Sequence, residues 1–327
     1  MPQKSHGYAA GRVQVLSQSL LSASSLERLL SAGTVNEVAR ALSEMGWGEV
    51  HTKRDVERLA NEQVRAACAL VRECSSEPDA TDCFLLKYDI LNLKLLIKAR
   101  VLGVSAGELS ECGTLDPELL RRCVEENNYQ PLEPALRDAL VEIEKHIAVN
   151  MDPLYVDAEL DKAYYALVKR KLSAVHDDAI KRYFSAKADL TNLLIALRSG
   201  RMGRSADFAA ALFVPGGELP IDGLKRLSGE SEYLTRLIYL KPYADRVKRA
   251  ILSDGAKVDL AALEKQADDY LLGLIRPHRY ETSSILPLIG YLLAREREAA
   301  ALRLIVTAKD ARVSEEAVLT RLRALYA

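Results

Sequence analysis

Aromatic rings are scarce in this chain: 6% of 327 residues, with one Trp and four Phe beside 14 Tyr. A core with so few rings must be largely aliphatic. Cysteine is sparse and unpatterned. Cys68, Cys74, Cys83, Cys112 and Cys123 make an odd count without C-x-x-C spacing, which argues against a disulfide framework or a zinc site and predicts reduced thiols in a cytosolic protein. An excess of one charge is also missing. The 45 Lys and Arg against 46 Asp and Glu leave a net charge of −1, so nothing global attracts nucleic acid or anionic lipid. The longest nearly uncharged apolar run, 283–294, ends at Arg295 and contains Pro287, well short of the roughly 20 residues of a membrane span. No apolar h-region occupies the start, Met1 to Arg12, so no signal peptide is expected there.

The enzyme templates are missing as well. The sequence has no G-x-x-x-x-G-K-[ST], no G-x-G-x-x-G after a strand, no H-E-x-x-H and no G-x-S-x-G. Two acid pairs, Asp177-Asp178 and Asp268-Asp269, could suggest a helical enzyme using Mg²⁺. Lys181 and Leu272 stand where a further acid would be needed, and solvated helix-face charge is the simpler account. His6, His51, His146, His176 and His278 show no i, i+3 or i, i+4 pairing, so no metal site is expected. No cofactor is expected either.

What is present is a repeat. Asp89-Ile-Leu-Asn92-Leu93, running to Gly103, occurs again as Asp189-Leu-Thr-Asn192-Leu193, running to Gly203, at an offset of 100 residues (189 − 89). Phe84 falls on Phe184 and Lys87 on Lys187 at the same offset. Ile90, Leu93, Ile97 and Val101 line one helical face, as do Leu190, Leu193, Leu194 and Leu197. Gly103 and Gly203 suit the left-handed turn that ends a helix. Asn inside a helix competes for backbone hydrogen bonds. Its recurrence three residues after an Asp predicts a buried polar contact between neighbouring helices. A weaker third copy sets Glu298 on Asp189, at an offset of 109 (298 − 189), and Arg303 on Lys94; Ala301 replaces the Asn and no glycine follows in register.

With 49% hydrophobic residues the composition is that of an ordinary soluble protein, and its length allows two domains or three small ones. The repeat predicts three helical units, 1–105, 106–205 and 206–327, with seams at 105–108 and 204–206. Each unit opens on short helices and closes on a long pair: 56–74 with 82–102, 158–172 with 176–199, and 260–275 with 285–309. No alternating β-branched segments occur, so the predicted class is all-α.

Two charged stretches are candidate partner surfaces. Arg198, Arg201 and Arg204 cluster at the end of the second repeated helix, where cations also complement the helix dipole. Arg295-Glu-Arg-Glu298, with Arg303 beyond it, reads as a solvated face with i, i+4 pairing, or as a surface against a partner coiled coil.

Taken in order, these elements resemble the C subunit of the V-type and A-type rotary ATPases, whose eukaryotic counterpart is the d subunit. The resemblance is carried by Tyr8-x-x-x-Arg12-Val13 leading to Leu20-Leu21, by Gly46-Trp47-Gly48, by Tyr88-Asp89-x-x-Asn92-Leu93 ending at Leu102-Gly103, by Asp189-x-x-Asn192-Leu193, and by Glu296-x-Glu298 with Arg303. It implies a non-catalytic all-α funnel with pseudo-threefold symmetry, a central-rotor socket that couples the shaft subunits to the membrane proteolipid ring for proton or sodium transport. It further implies a protein peripheral to the cytoplasmic face, without membrane insertion or nucleic acid, and monomeric in isolation. The alternatives left by the residues alone are a free helical-repeat adaptor and a helical metal enzyme.

Overall fold

The computed structural model describes residues 5–149, 152–227, 231–252 and 257–326; Met1 to Lys4 of the opening segment lie outside them. Among the described residues the class is all-α, as expected, and the one β contact is an isolated antiparallel bridge between Ile251 and Val258. The helices are α1 (His6–Ser17), α2 (Ala23–Ser31), α3 (Val35–Glu44), α4 (Lys53–Cys74), α5 (Pro78–Leu102), α6 (Pro117–Glu125), α7 (Pro134–Ile147) and α8 (Pro153–Leu172). They continue with α9 (Asp178–Arg201), α10 (Ala206–Leu212), α11 (Ile221–Lys225), α12 (Ser231–Leu237), α13 (Ala244–Lys248), α14 (Leu260–Ile275), α15 (Leu286–Asp310) and α16 (Glu315–Arg321).

Helix starts follow local chemistry. The Thr52 hydroxyl accepts from the Asp55 amide while the Asp55 carboxylate accepts from the Thr52 amide, a capping box that begins α4 before its first apolar residue. Pro117, Pro134 and Pro153 open α6, α7 and α8, where a missing N–H costs nothing. Among the described residues no helix is long and apolar enough to cross a membrane.

The chain divides into two compact units, one made of residues 1–77 and 264–327 and the other of 78–263. In the first, α4 packs along α15, which α1 and α3 also contact; its aliphatic core includes Leu42, Val56, Val71, Leu302 and Ile305. In the second, α8 packs on α5 and α7, α6 lies on α5, and α10 lies on α9. The repeat-equivalent Phe84 and Phe184 meet there with ring centroids 4.8 Å apart. Within the units α4 packs along α15 and α5 along α8, whereas the expected pair of α8 with α9 meets only lightly. Charges reinforce the α5–α8 seam, where Lys94 reaches Asp161 at 2.7 Å and Lys98 reaches Asp157 at 2.6 Å.

The ends of α5, α9 and α15 share one geometry. Gly103 has φ 66° and Gly203 φ 64°, and Arg312 adopts φ 54°. The amide after each bonds back five residues: Val104 to Ala99, Arg204 to Ser199 and Val313 to Ala308, at 3.0, 2.9 and 2.8 Å. This is the Schellman turn. Arg312 lies 109 residues after Gly203 (312 − 203), the offset that sets Glu298 on Asp189, so the third copy is in register after all. It carries an arginine where the others carry glycine. A left-handed non-glycine residue is strained by about 1–2 kcal/mol, so Arg312→Gly should raise stability by about 1 kcal/mol in urea unfolding; a loss would show that the Arg312 side chain outweighs the strain.

Candidate functional site

The repeated Asp and Asn are buried, with Asp89 at 0% and Asp189 at 1% exposure. They bind loops, not neighbouring helices as the sequence suggests. On α5, the Asn92 amide donates to the Ser110 carbonyl and its oxygen accepts from the Ser110 amide, both at 2.8 Å. One turn earlier, Asp89 accepts from the Thr114 amide at 2.7 Å, the Thr114 hydroxyl at 2.8 Å and the Leu115 amide at 3.1 Å. On α9, Asn192 makes the same two bonds to Val214, at 2.9 and 2.8 Å. Asp189 accepts from the Glu218 and Leu219 amides at 2.7 Å each, and from the Tyr243 hydroxyl at 2.8 Å. Lys241 stands 4.0 Å from Asp189 and 2.8 Å from Glu218. Its hydrogen bond, followed by its charge, holds the Glu218 carboxyl below the usual range.

Each motif is thus a clamp, in which a helix side chain takes the place of a partner strand for a loop backbone. Glycine is required where the loop presses on the acid. A Cβ on Gly113 would stand on Asp89 Oδ1 and 2.7 Å from its Cγ, and one on Gly217 would stand on Asp189 Oδ1. Neither glycine has a left-handed backbone, so the constraint is contact and not conformation.

The third copy keeps the clamp with other residues. Glu298 Oε1 accepts the Leu21 amide, and Oε2 takes Arg295 Nη1 at 2.8 Å. Arg295 also donates to the Ser19 hydroxyl at 2.5 Å, the Ser19 carbonyl at 3.4 Å and the Tyr291 hydroxyl at 3.0 Å. The arginine replaces the Asn lost at Ala301. In all three clamps the leucine whose amide is captured precedes a helix N-cap: Leu21 before Ser22, Leu115 before Asp116, Leu219 before Pro220. Burial is the largest influence on Glu298 and raises its carboxyl above the ordinary range, outweighing Arg295. The Arg295 guanidinium loses most from burial, yet Glu298 and Tyr291 more than offset that and hold it charged.

Of the predicted partner-surface residues, Arg295 and Glu298 are each 3% exposed. They are internal, because the alternating charges pair with each other and with the N-terminal segment, and the expectation that they face a partner is corrected. Arg303 is exposed and donates to Asn61 of α4, just as Lys94 of α5 reaches Asp161 of α8. Arg198, Arg201 and Arg204 are all exposed at the end of α9. Arg201 donates to the Val258 carbonyl, and the Arg204 guanidinium lies 5.2 Å from the centroid of the Phe208 ring.

Three of the four paired acids, Asp177, Asp268 and Asp269, have structural partners. Asp177 caps α9 through the Ala179 and Ile180 amides at 2.8 and 3.1 Å. Asp268 accepts from Arg323 at 3.0 Å and Asp269 from the Ala324 amide at 2.8 Å. Among the described residues no group of three His, Cys, Asp or Glu is placed to hold a metal. All five cysteines are buried and none is in a disulfide, and burial pushes the Cys83 thiol up to about 12.

Sequence reasoning missed the loop half of each clamp: Ser110, Gly113, Thr114 and Leu115, with Val214, Gly217, Glu218 and Leu219. The available signal was Gly-x-Leu, at 113–115 and again at 217–219. Its offset is 104 (217 − 113), four more than that of the helices.

The same span carries the likeness to known proteins. The model of the ATP synthase (C/AC39) subunit family matches residues 9–321. The chain is 26% identical to the C subunit of the V-type sodium ATPase of Enterococcus hirae, over 78% of each chain. It is 25% identical to the C subunit of the A-type ATP synthase of Methanosarcina mazei, over 96% of this chain and 91% of that one. It is 26% identical to the C subunit of the V-type ATP synthase of Deinococcus radiodurans, over 92% and 86%. With its three clamps inside the matched span, the chain belongs to the ATP synthase (C/AC39) subunit family.

Proposed function

We propose that the chain is a non-catalytic rotor subunit of a V/A-type rotary ATPase, a socket joining the central shaft to the proteolipid ring on the cytoplasmic face of the membrane, and so serving proton or sodium transport. The observation that carries this is the family match along 9–321, together with relatives named as the C subunits of such machines. The buried acids support a role without chemistry, since Asp89, Asp189 and Glu298 are committed to backbone amides of the fold. The clamps support a threefold organisation, in which each module is a motif helix, the loop it holds and a returning helix. The hydrogen bonds of the first two clamps cross the seams expected near 105 and 205, which supports placing the module limits after the loops instead of at 1–105, 106–205 and 206–327. Pseudo-threefold closure into a funnel is the arrangement such modules would adopt. A torque coupling must be stiff, which close-packed helices provide.

The test is a pull-down with the shaft subunits of the same machine. Wild-type chain should bind, and Arg198→Glu/Arg201→Glu/Arg204→Glu should bind roughly tenfold more weakly and with less salt dependence. Unchanged binding would remove this patch from the interface. Copurification with no component of a rotary ATPase would favour a free helical adaptor and end the proposal.

A further inference from the structure

Outside the clamps, the second unit holds an open groove of about 680 Å³ bounded by α7, α8 and the α10–α11 segment. On α7 its lining falls at 135, 138, 139 and 142, and on α8 at 159, 162, 163 and 166. Both sets follow the i, i+3, i+4, i+7 step of a single helical face. The floor positions are alanines: Ala135 and Ala139 on one helix, Ala163 and Ala166 on the other. The adjoining faces of the same helices carry large aliphatics that build the core, including Leu140, Ile143, Leu160 and Leu167. Two adjacent helices that pack together and show alanines on a shared outer face form a trough where a further helix can approach closely. One wall is apolar, formed by Val214, which Asn192 fixes in place, and by Ile221, which is 59% exposed.

The rim is biased in charge. Asp138, Glu142 and Glu159 line the groove against one amine, Lys162, already bonded to Glu159 at 2.7 Å. The cations paired with the other two acids, Arg137 with Asp138 at 3.4 Å and Lys145 with Glu142 at 3.1 Å, are not among the lining residues. We propose that this groove docks a basic amphipathic helix of a partner protein, with large aliphatic side chains in the alanine trough and Lys or Arg against Asp138 and Glu142. The mode is helix-in-groove recognition, and alanine floors select for large side chains because a small one would leave the trough unfilled. The proposal does not depend on the rotor assignment.

The test uses the full chain and a fluorescein-labelled synthetic helix of about 18 residues, blocked at both ends, with Leu at i, i+3, i+4, i+7 and Lys on the flanks. Two controls are a scrambled peptide of the same composition and one with Glu for each Lys. By fluorescence anisotropy the amphipathic basic peptide should bind at least about tenfold tighter than either control. Filling the trough with Ala139→Leu/Ala166→Leu should weaken it about tenfold or more, and Asp138→Lys/Glu142→Lys should weaken it and flatten its salt dependence. If the filled variant does not fold, the surface changes Asp138→Lys/Glu142→Lys and Ile221→Ser carry the test alone. Equal binding of the scrambled peptide, preference for the acidic one, or indifference to the groove variants overturns the proposal. So does self-association of the chain that displaces the peptide, which would make the occupant a second copy.

Discussion

Asp189→Ala should cost roughly 4 kcal/mol of stability. Its carboxylate holds three donors in the interior, the Glu218 and Leu219 amides and the Tyr243 hydroxyl, and each charge-assisted bond is worth about 1.5–3 kcal/mol. The sum overstates the loss, because coupled bonds are not additive and the loop relaxes toward water. Even so, about 4 kcal/mol is a large share of the roughly 5–15 kcal/mol that holds a typical domain folded. Tyr243→Phe removes one donor and leaves the carboxylate on its two amides, so it should cost only about 1 kcal/mol. Gly217→Ala attacks the clamp from the other side by placing a methyl on Oδ1, and about 1–3 kcal/mol is expected for such overpacking. Urea unfolding ranks the three, and hydrogen exchange localises the effect at the Glu218 and Leu219 amides. An Asp189→Ala cost below about 1 kcal/mol, or a Leu219 amide still protected, would show that the loop is held by its apolar contacts and not by the clamp.

The helical half of this design was legible in the sequence because helices fix spacing. Asp89 and Asn92 recur at 189 and 192, since one helical face must carry both, and Gly103 recurs at 203 because each helix ends in a left-handed turn. The loop half was not. Its partners are backbone atoms, so Ser110 and Val214 can do the same work with different side chains. Four extra residues between the second helix and its loop also break the common offset. Only Gly113 and Gly217, kept small by contact with the acid, left a trace. The third clamp was hidden differently, because the loop it holds lies at the other end of the chain, around Leu21. A search along the sequence for a helix followed by its loop cannot join 298 to 21.

Helix limits came within a few residues because periodicity marks apolar positions, while capping residues such as Thr52 and Asp177 decide where helices start. Pairing of the long helices was not legible. Amphipathic faces show that a helix is buried on one side, not against which neighbour. Alternating charge was the least reliable sign: Arg295-Glu-Arg-Glu298 has the pattern of a solvated face, yet the first and last of the four are interior. Burial of a pair three residues apart on one turn looks the same in sequence as its exposure.

That interior pair supports the second large effect. Glu298→Ala leaves the Arg295 guanidinium without its carboxylate and the Leu21 amide without an acceptor, and breaking a buried pair from one side costs about 3–5 kcal/mol. Arg295→Met/Glu298→Leu removes both charges together and should recover much of that loss, giving a coupling of about 2 kcal/mol or more in a double-mutant cycle. The pair also sets a pH dependence. Burial, outweighing Arg295, raises the Glu298 carboxyl above the ordinary glutamate value of 4.5. From there up to its raised value the native state holds a proton that the unfolded chain has released. The contribution to stability is therefore full below about pH 4.5 and declines as pH rises through that window. Glu298→Gln, which keeps an acceptor for Leu21 but cannot ionise, should lose this decline while other groups titrate as before. Urea unfolding of wild type and Glu298→Gln from about pH 4 to about pH 8 makes the comparison. Parallel curves, or a coupling below about 0.5 kcal/mol, would mean that the N-terminal segment is held on α15 by packing of α1 and not by the charge pair. Glutamate suits this third clamp, where aspartate serves the other two, because its extra methylene lets one carboxylate serve both the Leu21 amide and Arg295 on its own helix.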